Sequence, residues 1–530
     1  MSTEADLGRV TGSAYSAAVV DPDRQASLTA EGRAISYWAE VAPDRLAIAS
    51  PHGDRTFAEL DDRADRLVRA LRARGLSIGD GVALVIRNRP EFVEVWAACR
   101  RAGLHLTPIN WHLTTDEMSY IVDDSEARAL VVDTGIPAAV ELAGRHAAML
   151  ATVLTVGPNV DLGESYDEAI AAAPGGALDD ATPGTLMLYT SGTTGRPKGV
   201  RKRPHRPSVD NLAGYDDTSV HLCTGPLYHA APLNISLISP LSNGATVVVM
   251  DGWGPEETLR LVATHRVTHT HVVPTMFHRL LALDDETRSR HDLSSLRLVV
   301  HGAAPCPVAV KRDMIEWLGP VVVEYYAATE GAGTLVDSAT WLQKPGTVGR
   351  PHPADQVIVG DADARPLPAN QIGTVWLKSP PGDEFEYFHD AEKTDRAQRG
   401  SWYTLGDMGF VDDDGYLFLS GRSAELIISG GVNIYPTEID AVLLQHPAVG
   451  DAATIGVPNE EWGEEVLAVV EVDPTVTPSP ALAAELLAFC RERLAGFKCP
   501  RSIEFIDQLP RQDNGKVYRR VLRDRYAGAT

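Results

Sequence analysis

Apolar and polar positions follow helical and strand periods in turn through the first two-thirds of the chain. Residues 57–75 carry apolar side chains at helical spacing with charges between them and a closing glycine, which predicts a helix. Residues 82–86 form a short apolar run, which predicts a buried strand, and residues 91–101 return to a helical period. Further buried strands are predicted at 129–132, 298–300 and 321–323. This alternation favours parallel sheets covered by helices.

The pattern changes near residue 346. Short strands are predicted at 356–359, 374–378 and 416–420, separated by Gly, Pro and Asp turns, which indicates a small antiparallel sheet or barrel. After Arg422 a helix (438–444), a strand (466–472) and a second helix (481–494) are predicted. We therefore expect a domain boundary near residues 422–425.

Composition narrows the classes of partner. With 530 residues, two or more domains are expected. Acidic residues outnumber basic ones by 72 to 48, a formal net charge of −24, which argues against binding to nucleic acid or to an anionic membrane. A small anionic substrate stays possible where basic residues cluster locally.

Targeting and redox signals point to a cytoplasmic protein. Five scattered cysteines form no CxxC or CxxH pair, so neither a zinc site nor a disulfide framework is expected, and a reducing cytosol fits. The first ten residues lack the pattern of a secretory signal, and no run of 18 apolar residues predicts an integral membrane segment. The oligomeric state, monomer or homodimer, is left open.

Residues 189–200, YTSGTTGRPKGV, form the segment with the clearest chemistry. Glycines let backbone amides approach an anion, hydroxyls add donors, and Lys198 adds a mobile positive charge suited to a polyphosphate. Pro197 before that lysine excludes the Walker pattern. A polar surface turn is the alternative, and the strand-like LMLY before the loop and RPKG within it argue against that alternative.

This loop resembles the phosphate loop of the adenylate-forming superfamily: acyl-CoA synthetases, peptide-synthetase adenylation domains and beetle luciferases. Six further segments match in order, and the resemblance extends from about residue 38 to residue 520. The segments are PLYHAAP (226–232), HGAAPCP (301–307), YYAATEG (325–331), YTLGDMG (403–409), GRSAELIISGGVNIYPTEID (421–440) and PRQDNGK (510–516).

The resemblance implies an α/β architecture and a two-step reaction. A large N-terminal domain (1–421) would hold two helix-covered mixed β-sheets and a small β-barrel-like subdomain, followed by a hinge (422–425) and a small mobile α+β C-terminal domain (426–530). With ATP, Mg²⁺ and CoA, the enzyme would join a carboxylic acid to AMP, release pyrophosphate, and pass the acyl group to a thiol. Ala424 stands where relatives carry a charged hinge residue.

The resemblance also implies site residues. The phosphate loop would use Thr190, Ser191, Gly192, Thr193, Thr194, Gly195 and Lys198. Glu330 would bind Mg²⁺ and Thr329 the α-phosphate. Tyr326, Ala327 and the Gly302, Ala303, Ala304 loop would surround adenine, Asp407 would hold the ribose, and Arg422 would reach the ribose or a phosphate. Lys516, with Glu330 and Thr190, would act in adenylation, and Gly430 and Gly431 would line the pantetheine tunnel.

Substrate and acceptor are less constrained. Residues 228–236 contain no carboxylate to hold an ammonium, which argues against an α-amino acid and for an apolar carboxylic acid. The resemblance places His229, Val272, Pro274, Gly302 and Ala327 at the acyl pocket. Fatty, cyclic or steroid side-chain acids and aryl acids all stay open. CoA is the expected acceptor; the alternatives are an acyl-AMP ligase that loads a carrier protein and a nucleotide-binding module without catalysis.

Overall fold

The computed structural model describes residues 21–158, 161–190, 197–202, 211, 213–351, 356–379, 384–429, 432–459, 462–512 and 515–526. The chain divides into two compact units. The first consists of Met1–Val272, Leu283–Val299 and Pro380–Asp395, and the second of Val273–Ala282, Val300–Ser379 and Arg396–Thr530. The predicted hinge at 422–425 stays a prediction.

Helices and strands alternate along the described chain as the sequence pattern predicts. The helices are α1 Pro22–Ala30, α2 Ala34–Val41, α3 Phe57–Ala73, α4 Pro90–Ala102, α5 Thr115–Asp124, α6 Pro137–His146, α7 Tyr166–Ala172, α8 Ala230–Leu233, α9 Ser239–Ser242, α10 Pro255–His265, α11 Pro274–Leu281, α12 Asp285–Ser289, α13 Val308–Leu318, α14 Ser338–Gln343, α15 Ala391–Ala397, α16 Pro436–Leu443, α17 Pro480–Arg493 and α18 Arg519–Tyr526. A π-helix spans Asn234–Ile238, and 3-10 turns span Ser423–Glu425 and Gly496–Lys498.

The strands are β1 Leu46–Ala49, β2 Arg55–Thr56, β3 Gly81–Val85, β4 His105–Pro108, β5 Ala127–Asp133, β6 Thr152–Val156, β7 Glu164–Ser165, β8 Thr185–Thr190, β9 Lys198–Lys202, β10 Val220–Cys223, β11 Thr246–Val249, β12 His269–Val272, β13 Leu298–His301, β14 Val322–Ala327, β15 Ala332–Asp337, β16 Arg350–Pro351, β17 Val357–Gly360, β18 Gly373–Lys378, β19 Phe385–Tyr387, β20 Gln398–Arg399, β21 Trp402–Val411, β22 Leu417–Arg422, β23 Ile427–Ser429, β24 Val432–Ile434, β25 Val449–Asn459, β26 Gly463–Val472 and β27 Ser502–Phe505.

The first unit contains an eight-stranded sheet in the order β19-β9-β8-β4-β3-β5-β6-β7. Its centre is parallel, and β8, β9 and β19 are joined by antiparallel pairing. Every residue of β3 is buried, as its uninterrupted apolar run predicts for a strand covered on both faces. The helix predicted at 57–75 is confirmed as α3, which begins at a capping box between Thr56 and Glu59.

A second sheet of the same unit has β10 between β11 and β12 in parallel pairing, with β1 parallel to β11 and β2 antiparallel to β1. A continuous apolar core that includes Trp38, Phe57, Leu84 and Leu241 fills this unit. The mixed, helix-covered sheets that the family resemblance implies are therefore present.

The second unit is mostly antiparallel. Strands β14, β15 and β16 pair in sequence, and β17, β18, β21, β20 and β22 form a five-stranded antiparallel sheet, which confirms the predicted change of pattern after residue 346. Strands β23 to β27 form a further sheet beside α16 and α17, with its own core around Ile427, Ile439 and Leu486. Within the described ranges, no helix is both long enough and apolar enough to cross a membrane.

Three histidines lie buried on the neighbouring strands β10 and β12. His221 pairs in register with His269, and the hydroxyl of Tyr215 lies 2.8 Å from Nδ1 of His221. Burial lowers the pKa of His221 and of His269, and it lowers the pKa of His271 to about 4. Because burial disfavours the charged ring, the folded protein holds these side chains neutral at neutral pH.

Stability should fall as the solution is acidified. An unfolded histidine takes up a proton near pH 6.5, whereas folded His271 does so only near pH 4. The contribution of neutral His271 to the free energy of unfolding is complete above the unfolded pKa. It is lost as the pH falls from about 6.5 to about 4, at up to about 1.4 kcal/mol per pH unit. Urea unfolding of a His271→Leu variant between pH 7 and 4.5 should show a correspondingly shallower pH dependence than wild type. Equal slopes would contradict this assignment.

Candidate functional site

A hairpin tip presents two of the predicted nucleotide-binding residues. Between β14 and β15 the chain turns at 328–331, where the N–H of Ala328 donates to the carbonyl of Gly331 at 2.8 Å and the N–H of Gly331 donates back at 3.2 Å. Thr329 and Glu330 lie in this turn, and Glu330 is 7% exposed. A Cβ at Gly331 would lie 2.3 Å from the hydroxyl of Tyr403, so the close approach requires glycine there.

Asp407 receives hydrogen bonds on both of its carboxylate oxygens. The hydroxyl of Tyr326 donates to Oδ2 at 2.7 Å, and Nε of Arg422 donates to Oδ1 at 3.0 Å. Asp407 and Arg422 are direct partners across β21 and β22. An ionised carboxylate has about four lone-pair positions, so each oxygen retains capacity for another donor. Asp407 is thereby oriented and still able to accept hydrogen bonds from a ligand.

The same group of charges acts on the pKa of Lys516. Burial lowers the pKa of Lys516 and the positive charge of Arg422 acts in the same direction, while Asp407, Glu330 and Glu425 oppose both. Gly515, with φ +81°, precedes Lys516, and a Cβ there would lie 2.9 Å from Oγ1 of Thr275 on α11. We call Tyr326, Glu330, Asp407, Arg422 and Lys516 the Asp407 cluster. All five residues are predicted from separate segments of the sequence, and all five belong to the second unit.

Burial and charge set the other pKa values in this cluster. Burial and the neighbouring Asp407 carboxylate raise the pKa of Tyr326, which keeps its hydroxyl protonated as a donor. Burial alone would lower the pKa of Arg422, but Asp407 and Glu425 outweigh it and raise that pKa. The result is a neutral tyrosine and a charged guanidinium on one carboxylate.

The small-residue loop that follows β13 packs closely against β14. A Cβ at Gly302 would lie 2.6 Å from both the ring and the carbonyl oxygen of Tyr325, so this position also requires glycine. Ala303 adopts φ +67°, which is unusual for a residue with a side chain. Ala304 continues the loop, and Ala327 ends β14. The roles of these residues at adenine stay predictions.

The described part of the phosphate loop lies in the first unit. Thr190 ends β8 and Lys198 begins β9, and the two residues pair directly across these antiparallel strands. Nζ of Lys198 lies 2.9 Å from Oδ2 of Asp390. Several predicted residues lie outside the described residues, so nothing tests them; these are Ser191, Gly192, Thr193, Thr194 and Gly195 in the phosphate loop and Gly430 and Gly431 in the predicted tunnel.

The predicted acyl-pocket residues are divided between the units. In the first, His229 precedes α8 with its ring 4.7 Å from that of Tyr228, and buried Val272 ends β12. In the second, buried Pro274 begins α11, and Gly302 and Ala327 lie as described above. That these five residues form one pocket stays a prediction.

Three polar contacts of the predicted site residues and their neighbours are not predicted from the sequence. Asp390, the partner of Lys198, was not singled out, and neither was the contact of Tyr326 with Asp407. A buried ion pair was also missed: Nζ of Lys311 on α13 lies 2.6 Å from Oε2 of Glu324 on β14. For Asp390 a signal existed, because an Asp directly before a helical segment, with an acidic residue such as Glu392 in its first turn, is typical of a helix N-terminus.

Comparison with known proteins identifies the family. Residues 35–382 match the model of the AMP-binding enzyme family, and residues 438–516 match the AMP-binding enzyme C-terminal domain. The chain is 36% identical to a feruloyl-CoA synthase of Amycolatopsis sp., covering 92% of this chain and 97% of the relative. It is 34% identical to the fatty acid–[acyl-carrier-protein] ligase ScoC of Streptomyces coeruleorubidus, covering 93% and 96%.

A solved structure shows the same fold. The anthranilate CoA ligase AuaEII, determined in complex with anthranoyl-AMP, superimposes with a TM-score of 0.84 at 27% identity, covering 94% of this chain and 98% of that one. The matched family models span both the phosphate-loop region and the segment that ends at Lys516. The chain belongs to the adenylate-forming family of AMP-binding enzymes, in the acyl-CoA synthetase branch, whose members catalyse ATP-dependent ligation of an acid to CoA.

Proposed function

We propose that this enzyme activates an apolar carboxylic acid as its acyl-AMP and then transfers the acyl group to CoA. The observation that carries the proposal is the Asp407 cluster, in which Tyr326 and the guanidinium of Arg422 orient a carboxylate, and the charges of Arg422, Asp407 and the buried Glu330 all act on the pKa of Lys516. Ribose hydroxyls are donors and phosphates are acceptors, so this combination suits a nucleotide.

In the first step a carboxylate oxygen of the acid attacks the α-phosphorus of ATP, and the bond to pyrophosphate breaks. Both reactants are anionic, so the site must neutralise charge before it can align them. Lys516 bridges the acid and the α-phosphate, and Arg422 and Lys198 offset charge on the nucleotide. Asp407 accepts the ribose hydroxyls, and Tyr326 keeps Asp407 oriented while its ring faces adenine.

Glu330 fits a magnesium ion held with ATP. It is a buried carboxylate at the hairpin tip, and Mg²⁺ commonly takes one or two carboxylates and completes its shell with phosphate oxygens and water. Among the described residues no group of three or more His, Cys, Asp or Glu could hold a metal ion alone, which agrees with a metal that arrives with the nucleotide. The metal would neutralise phosphate charge.

In the second step the CoA thiol attacks the acyl carbon, and AMP leaves. Three similar proteins favour specific alternatives. Feruloyl-CoA synthase and anthranilate CoA ligase favour an aryl acid, and ScoC favours transfer to a carrier protein. The absence of a carboxylate from residues 228–236 fits aryl and alkyl acids equally and argues against amino acids.

Lys516→Ala should lower acyl-AMP formation by about 10²–10³-fold, because one transition-state charge contact is lost. Thioester formation from supplied acyl-AMP should stay near wild type. Lys344→Ala is a matched control, since Lys344 belongs to the same unit and bonds Asp412. Equal loss of both half-reactions would contradict the assigned role of Lys516.

Glu330→Gln should raise the Mg²⁺ concentration needed for half-maximal pyrophosphate release by about tenfold, because a neutral amide is a weaker ligand than a carboxylate. The control is Glu316→Gln, an exposed residue on α13 of the same unit. Pyrophosphate release measured against Mg²⁺ concentration checks the result. Full activity in chelator would remove Glu330 from this role.

Substrate and acceptor are tested together by pyrophosphate release over a panel of fatty, cyclic, steroid side-chain, aryl and amino acids, with CoA present or absent. We expect release with apolar acids and not with α-amino acids, together with a thioester product when CoA is present. An acyl-AMP that accumulates with CoA and disappears only with a phosphopantetheinyl carrier protein would favour the carrier-loading alternative.

A further inference from the structure

Lys198 is held by a carboxylate whose position is itself fixed. The distance of 2.9 Å between Nζ of Lys198 and Oδ2 of Asp390 is that of a charge-assisted hydrogen bond. The two side chains are 17% and 31% exposed, so solvent screens the pair only in part. Hydrogen bonding to Lys198 lowers the pKa of Asp390, so the carboxylate is ionised at neutral pH.

The other carboxylate oxygen of Asp390, Oδ1, caps the start of a helix. Oδ1 accepts the backbone N–H of Lys393 at 3.0 Å, as an N-cap residue does at the start of a helix. The carbonyl oxygen of Asp390 accepts both the N–H of Thr394 at 3.1 Å and its hydroxyl at 3.0 Å. The carboxylate is therefore anchored to the start of α15 and cannot follow a moving lysine.

Strand pairing connects this anchor to the lysine. Tyr387 of β19 pairs with Val200 of β9, and the N–H of Phe388 donates to the carbonyl of Gly199 at 2.8 Å. Lys198 begins the strand to which the turn carrying Asp390 is bonded. The backbone thus sets the separation of the two side chains, and the ion pair removes rotamer freedom from a long, flexible side chain.

We propose that Asp390 is a positioning residue, which holds the ammonium of Lys198 in place for the phosphates of ATP. This inference rests on the proposed function. An ammonium has three N–H donors, and Asp390 occupies one of them, so the others can be directed at phosphate oxygens. A lysine fixed before binding loses less freedom when the nucleotide arrives.

The alternative is that Asp390 competes with phosphate for Lys198, and this alternative predicts the opposite effect on ATP binding. If Asp390 merely competed with phosphate for Lys198, its removal would tighten ATP binding. The rigid cap makes positioning the better reading, because only the lysine and not the carboxylate can adapt. The two readings predict changes of opposite sign in the KM for ATP.

The test is Asp390→Ser, because serine caps a helix about as well as aspartate but is too short to hold Lys198. We expect the KM for ATP in pyrophosphate release to rise by about two- to fivefold, as fits loss of a partly exposed ion pair. Thioester formation from supplied acyl-AMP, which needs no triphosphate, should not change. Asp390→Asn keeps the cap and removes only the charge, so a smaller rise in the same direction is expected.

Asp284→Ser is the matched control. Asp284 caps α12 through the N–H of Thr287 at 2.8 Å in the same unit, and the KM for ATP should not change in this variant. Combined with Lys198→Met, Asp390→Ser should add no further loss, because the two residues act as one unit.

An unchanged or lowered KM in both Asp390 variants, or full additivity with Lys198→Met, would overturn the positioning role. A loss of thioester formation equal to the loss of adenylation would assign Asp390 a merely structural role and overturn it too. If wild type releases no pyrophosphate with any acid, the proposed function fails and this inference fails with it. If the wild type is active and the Asp390 variants have an unchanged KM for ATP, only this inference is overturned.

Discussion

The shared carboxylate of Asp407 is the interaction on which the second unit's site depends. It joins Tyr326 at the end of β14 to Arg422 at the end of β22, two strands of different sheets. A carboxylate that is 8% exposed would be costly if it were unpaired, and here each oxygen has a donor. The pairing therefore does two things at once: it makes burial of the charge tolerable, and it fixes the direction of the carboxylate's remaining lone pairs. Gly331 lets the adjoining hairpin tip approach Tyr403 of β21 closely, because a Cβ there would lie 2.3 Å from the Tyr403 hydroxyl.

A second buried charge that is stabilised by a partner is the ion pair between α13 and β14. Lys311 and Glu324 are both buried and lie 2.6 Å apart, and Nζ of Lys311 lies 4.6 Å from the ring centre of Trp341. Burial raises the pKa of Glu324 and lowers that of Lys311, while each charge opposes the effect of burial on the other. Removing one partner would leave an uncompensated charge in an apolar setting. Because Glu324 lies two residues before Tyr326 on β14, this pair links α13 to the strand that presents Tyr326.

Local sequence patterns predicted helices and strands but did not predict which distant polar side chains are in contact. The apolar run at 82–86 and the helical period at 57–75 are properties of a few consecutive residues, and β3 and α3 follow from them. The phosphate loop, the ATE turn and the lysine near the C-terminus could be named because they match a family pattern. Their polar partners could not be found this way. Tyr326 and Asp407 are 81 residues apart and Lys198 and Asp390 are 192 apart, and neither separation is visible in a local pattern. The topology of the sheets decides which distant side chains meet.

The chain is strongly acidic, yet it places individual cations where an anionic substrate is proposed to bind, and carboxylates act on each of these cations. The chain carries a formal charge of −24, yet the residues proposed to meet phosphate are Lys198, Arg422 and Lys516. Lys198 lies close to Asp390 and Arg422 to Asp407, and the carboxylates of Asp407, Glu330 and Glu425 raise the pKa of Lys516 against the effect of burial. Such pairing weakens the long-range attraction for anions but fixes where each cation points. For a reaction whose rate depends on aligning two anions, fixed donors at short range contribute more than a diffuse positive field, because only the former discriminate the transition state from the separated reactants.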